Sequence, residues 1–139
     1  MALLSITAKT ADSLSEIKTQ ALVVLTPERK TLSPYLKVLD TLLGGTVSRS
    51  IKQGDFSGSG GSHMWLPGAG GIQRVLLIGC GDPAKQTTAL AKKVGESIAR
   101  TLVSSPAADA LIVMEGLTTK LSMPAILMEQ MSLQLTLAH

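Results

Sequence analysis

Glycine, cysteine and aspartate crowd into one short stretch of the 139-residue chain, Gly79-Cys80-Gly81-Asp82-Pro83-Ala84. It has the form G-x-G-x-x-A and follows the aliphatic run Val75-Leu76-Leu77-Ile78. In that setting glycines let the backbone approach a pyrophosphate at the start of a helix. Asp82 argues against this use. Placed as the cap of a following helix, its carboxylate occupies the N–H groups and repels an anion. The acidic residue that would hold a ribose about 20 residues on does not stand at a suitable strand end, and Glu115 comes too late. The stretch reads as a tight strand-to-helix turn, with Asp82 as N-cap and Pro83 in the first helical position. A helix N-terminus can activate a thiol, yet Asp82 offsets the dipole and no histidine is near in sequence. Cys80 is expected to be a small buried residue.

The remaining reactive side chains form no recognisable set. His63 and His139 are far apart and fit no H-E-x-x-H spacing, and the ten acids form no D-x-D or E-x-x-H group. No G-x-S-x-G, G-K-S/T or C-x-x-C motif occurs. No catalytic, cofactor-binding or metal-ligating residue is therefore assigned. The net charge of +3 raises the question of nucleic acid, but the cations are dispersed and only Arg29-Lys30 and Lys92-Lys93 are adjacent. Aromatics are 2% of the chain and none is interleaved with the cations as a stacking platform. A mixed solvated surface is the simpler account. One cysteine excludes an internal disulfide and agrees with a reducing compartment. The first residues lack a basic start and a signal-peptide core, and no apolar run approaches the ~18 residues that span a membrane. The expectation is a cytoplasmic protein without a membrane partner.

A chain of this length is one domain, able to bury roughly two thirds of its unfolded surface. Leu3 to Ala8 alternates apolar and polar residues like a half-buried strand, and Ala21-Leu22-Val23-Val24-Leu25 reads as a buried strand stopped by Thr26-Pro27. Ser33-Pro34 starts a helix whose stripe is Tyr35, Val38, Leu39, Leu42 and Leu43, ended by Gly44-Gly45. Thr46 to Lys52 leans to a helical turn, Gln53 to Gly61 reads as a mobile hairpin or loop, and His63 to Leu66 supplies one more strand before a Pro67 to Gly71 turn. Four large aliphatic residues after Arg74 make a strand buried on both faces, hence central. Leu90, Val94, Ile98 and Leu102 give a long amphipathic helix, and Ala110-Leu111-Ile112-Val113-Met114 another buried strand. A closing helix from about Met123 runs to His139 without a stop signal, as expected of a longer polypeptide. From the residues alone, the reading is an α/β domain without a visible catalytic constellation.

Two segments extend this reading. Gln53-Gly54-Asp55-Phe56-Ser57-Gly58, followed by Arg74-Val75-Leu76-Leu77-Ile78-Gly79-Cys80-Gly81, resembles the amino-terminal domain of the leucyl aminopeptidase (cytosol aminopeptidase) family. Asp82-Pro83 stands where that family often has a basic residue. The resemblance implies a three-layer α/β fold with a mixed, mostly parallel sheet flanked by helices, of macro-domain-like topology. It implies that residues 1–139 are a single non-catalytic domain whose partner is its own carboxy-terminal catalytic domain, in a homo-hexamer. Such enzymes remove N-terminal residues from peptides with two divalent ions, manganese, zinc or magnesium, which can hold both the nucleophile and the carbonyl oxygen. The ligands lie around an N-T-D-A-E-G-R-L segment that does not occur here. No metal residue is carried over and no cofactor is expected in these 139 residues, which should be inactive alone. Two other functions stay open: an ADP-ribose-binding module of macro-domain type, and a DNA-contacting module.

Overall fold

The computed structural model describes residues 5–9, 18–28, 34–82, 87–105 and 109–113. Along the chain these form β1 (Ser5–Lys9), β2 (Leu22–Pro27), α1 (Pro34–Leu42), α2 (Thr46–Lys52), β3 (His63–Pro67), β4 (Arg74–Gly81), α3 (Thr88–Val103) and β5 (Asp109–Val113). The strands make one sheet in the order β1-β5-β2-β4-β3. Pairings β1/β5, β5/β2 and β2/β4 are parallel and β3/β4 is antiparallel.

Strand alternation divides the core into two layers. Side chains two apart on a strand share a face. Leu22 and Val24 of β2, with Val75 and Leu77 of β4, pack against Tyr35, Leu36, Leu39, Leu43 and Val47 of the α1–α2 region. Their neighbours Val23, Leu25, Leu76, Ile78 and Cys80 pack against Val94, Ile98 and Leu102 of α3. Leu76, Leu77 and Ile78 are wholly buried, and each such side chain contributes about 1.5–3 kcal/mol by leaving water. The result is the expected mixed, mostly parallel sheet between helical layers. β4 is interior as anticipated, but the middle place belongs to β2. Burial on both faces requires cover above and below, not the central position.

Two other expectations are corrected. The α1 stripe contains Leu36 and excludes Val38, which is 57% exposed; Leu36 falls three residues before Leu39 and so shares its face with Leu43, whereas Val38, one residue before Leu39, points about 100° around the helix from it. The following glycines close α1 as expected, with φ of +72° at Gly44 and +87° at Gly45, and the Gly45 N–H donates to the Asp40 carbonyl at 2.8 Å. Second, α3 starts at Thr88, and the side chain of Thr87 caps it by accepting from the Leu90 N–H at 3.2 Å. Asp82 is thus no cap of this helix, because β4 is followed by residues 83–86 before the first turn; Pro83 lies outside the described residues. The Gln53–Gly61 segment is a loop, as read, and it buries Phe56 among the α1–α2 layer. Ser33 and the closing helix from Met123 lie outside the described residues.

Ile98→Ala removes a fully buried side chain and is expected to lower unfolding free energy by about 2–5 kcal/mol, against less than about 0.5 kcal/mol for Val38→Ala at the surface. Urea denaturation followed by circular dichroism measures both; equal losses would contradict the assigned helix face.

Candidate functional site

The glycines of β4 meet the 53–62 segment side by side. The Gly79 N–H donates to the Ser62 carbonyl at 2.8 Å, the Gly61 N–H to the Gly79 carbonyl at 2.9 Å, and the Gly81 N–H to the Gly58 carbonyl at 2.9 Å. A Cβ on Gly79 would overlap the Ser59 carbonyl oxygen and the Ser62 hydroxyl, and one on Gly60 would overlap Leu90 of α3. Gly81 has φ +76°, a conformation that side chains other than glycine's resist. Gly79 is thus required by the close approach of two backbones, and Gly81 by its left-handed conformation. Their amides are spent on main-chain carbonyls and do not point at a vacant phosphate cradle. The N-terminus of α3 is likewise capped by Thr87. A turn rather than a cofactor loop is what the geometry supports, although the reason differs from the one read in the sequence: the neighbouring loop, and not Asp82 as a cap, fills the place.

Cys80 is completely buried in the α3-side layer, as expected of a packing residue. Lys92 and Lys93 are exposed on α3. His139 lies outside the described residues. Among the described residues no three His, Cys, Asp or Glu side chains come together as a metal site, and no helix is long and apolar enough to cross a membrane.

A concavity among the described residues was not anticipated. It lies where α3 leaves the sheet edge uncovered and has a volume of about 630 Å³, within the range of small-ligand sites. His63 and Trp65 of β3 and Arg74 of β4 line its sheet side, while Ser97, Arg100 and Thr101 line its helix side. Arg74 shares the α3-facing side with Leu76 and Ile78 by strand alternation. Ser97, Arg100, Thr101 and Ser104 recur at helical spacing on one face. The sequence treated His63 and the arginines as isolated residues. The two-residue spacing of His63 and Trp65 was the available signal, but only the pairing of β3 with β4 and the passage of α3 above them bring these groups to one groove.

A five-stranded, mostly parallel sheet between helices, with its glycine-rich loop consumed by packing, defines an α/β domain of macro-domain-like architecture. Residues 22–136 match the cytosol aminopeptidase family, N-terminal domain, and the chain belongs to that family. It is 38% identical over 97 residues to a probable cytosol aminopeptidase of Nitrosococcus oceani, covering 68% of this chain and 19% of that protein. It is 44% identical over 80 residues to the chloroplastic leucine aminopeptidase 2 of Oryza sativa subsp. japonica, covering 56% of this chain and 13% of the relative. The chain thus spans about a fifth or less of the length of these relatives. Among solved structures, a mutant of tomato leucine aminopeptidase superposes with a TM-score of 0.71 at 22% identity, over 94% of this chain and 28% of the other. The macrodomain of Mycobacterium tuberculosis DarG superposes with a TM-score of 0.59 at 14% identity, over 96% and 88%. At these identities the superpositions establish the shared fold.

Gly79→Ala forces the loop off β4 and is expected to destabilise the chain by several kcal/mol, well beyond the ~1–2 kcal/mol of left-handed strain expected for Gly54→Ala, where φ is +81° and nothing lies within 4 Å of an added Cβ. Amide exchange of Gly81 should accelerate in Gly79→Ala and stay slow in Gly54→Ala; the opposite order would refute the packing role.

Proposed function

We propose that this chain is the non-catalytic amino-terminal domain of a leucyl aminopeptidase, serving assembly and regulation of a peptidase whose reaction is carried by a carboxy-terminal domain. The observation that carries the reading is the match of residues 22–136 to the family's N-terminal domain, together with relatives named aminopeptidases over which the chain extends for only 19% and 13%. In this reading residues 1–139 are one domain, its principal partner is the catalytic domain, the full assembly is a homo-hexamer, and its substrates are peptides in the cytoplasm.

Two divalent ions, manganese or zinc, belong in the same reading to the catalytic domain, where they would activate water and polarise the first peptide bond. The donors described in this chain do not fit that group, since His63, Asp40, Asp55, Asp82 and Glu96 are not gathered into any cluster of three. No step of hydrolysis is assigned to these residues. What the domain supplies is a rigid α/β body, and its edges and exposed helix faces are the surfaces available to neighbours.

The 139-residue chain is expected to release no leucine from a leucine anilide with added manganese or zinc. A chimera in which it replaces the matching segment of the Nitrosococcus oceani relative should be an active oligomer of the same size as that parent. Hydrolysis by the isolated chain, or a chimera that is folded, monomeric and fully active, would overturn the reading.

Calorimetry with ADP-ribose is expected to give no saturable heat, because the Gly79 and Gly81 amides are already bonded. A saturable signal that is lost with changes in the 58–62 loop would favour the nucleotide-binding alternative.

A further inference from the structure

The groove between β3 and α3 has two unlike ends. At one, the Ser97 hydroxyl donates to the Gly61 carbonyl at 2.8 Å and ties α3 to the chain just before β3. β4 and β5 are both parallel to β2, so the helix joining them runs back against β4. β3 is antiparallel to β4 and therefore runs the same way as α3. Beyond the Ser97–Gly61 bond, Arg100 comes about one helical turn after Ser97 and Ser104 about two. On the sheet, Trp65 is opposite Leu76 and Pro67 opposite Arg74, which sets Arg74 diagonal to Trp65 on the side away from His63. Arg74, Arg100 and Ser104 thus gather at the far end of the groove, with Trp65 beside them.

The donors at that end are largely unspent. Arg100 directs Nε to the Glu96 carbonyl at 3.4 Å, which leaves the two terminal amino groups of its guanidinium. Among the described residues, Arg74 and Ser104 make no side-chain hydrogen bond or ion pair, and all three side chains reach the surface. No carboxylate is among the described residues that line the groove. A guanidinium keeps its charge and only donates, and a serine hydroxyl has one hydrogen to give. The far end therefore holds two permanent positive charges and a hydroxyl, with no anion in the lining to balance them.

Charge and geometry select the anion. A single carboxylate brings one negative charge and leaves one arginine unbalanced. A phosphate monoester brings close to two at neutral pH and three acceptor oxygens, which answer to two guanidinium groups and one hydroxyl. Trp65 decides what the phosphate is attached to. Its indole is half-buried, packed on the α3 core layer and open to the groove on the other side, and a flat aromatic ring stacks there better than a polar chain. The volume of about 630 Å³ has room for the ring as well as the phosphate.

We propose that the β3–α3 groove binds a small aromatic phosphomonoester, its phosphate held by Arg74, Arg100 and Ser104 and its ring set against the indole of Trp65. The ligand is a free small molecule. ADP-ribose is not of this class, because its two phosphates are joined as a pyrophosphate and neither is a monoester.

Trp65 is the sole tryptophan of the chain, so its fluorescence reports the groove directly. Titrating phenyl phosphate into the 139-residue chain at neutral pH should change Trp65 emission saturably. Inorganic phosphate, which lacks the ring, and methyl phenyl phosphate, which lacks the second charge, should each bind at least about tenfold more weakly. Arg74→Gln and Arg100→Gln should each weaken phenyl phosphate binding by a similar factor. Both side chains are exposed, so the circular dichroism spectrum and unfolding midpoint should not change. Absence of a saturable signal, equal affinity for inorganic phosphate, or full affinity in both arginine variants overturns the proposal. A hexapeptide containing phosphotyrosine that binds more than about tenfold tighter than phenyl phosphate also overturns it, by assigning the groove to a protein partner.

Discussion

The structure depends on two strands that have no solvent face. β2 and β4 lie side by side in parallel, from Leu22 opposite Val75 to Leu25 opposite Ile78, and their alternate side chains enter different helical layers. A parallel pair of this kind is stable only when both faces are covered. That requirement places α1 and α2 on one side and α3 on the other. It also explains the rarity of aromatic residues: leucine, isoleucine and valine of similar volume fill the two thin layers, with Phe56 and Tyr35 as single large pieces on the α1–α2 side.

The same pair accounts for the glycine-rich segments. Where β4 emerges from between its layers, the chain from Gly58 to Ser62 lies close enough to exchange main-chain hydrogen bonds with Gly79 and Gly81. A side chain on Gly79 would separate the two backbones, and Gly81 holds a φ of +76° that other residues resist. A glycine pattern that resembles a phosphate-binding fingerprint is, in this fold, a device for backbone contact. The distinction matters functionally, because it moves attention from the strand end to the sheet edge. There α3 covers β4 but leaves β3 partly open, and the guanidinium groups of Arg74 and Arg100 share a groove with His63 and Trp65.

Family membership and groove describe different levels of function. As an amino-terminal domain of the cytosol aminopeptidase family, the chain has a proposed role in the organisation of a larger enzyme. The groove is a feature of the domain's own sheet edge, lined by residues of β3, β4 and α3.

Much of the architecture was legible in the residues themselves. Unbroken aliphatic runs marked β2, β4 and β5, four-residue recurrence from Leu90 to Leu102 marked α3, and Gly44-Gly45 marked the end of α1, because strand burial, helix periodicity and left-handed caps are local properties. The family resemblance rested on two such segments and agrees with the match over residues 22–136. The three-dimensional arrangement decided what depends on distant partners. Thr87 rather than Asp82 caps α3, since the length of the connection and not the nearest acid sets where a helix begins. Leu36 rather than Val38 is buried, since the angle at which α1 lies on the sheet selects its inner face. Arg74 and Arg100 share a groove only because strand pairing and helix packing bring together residues that sequence leaves 26 positions apart, and proximity of that kind is written in no local pattern.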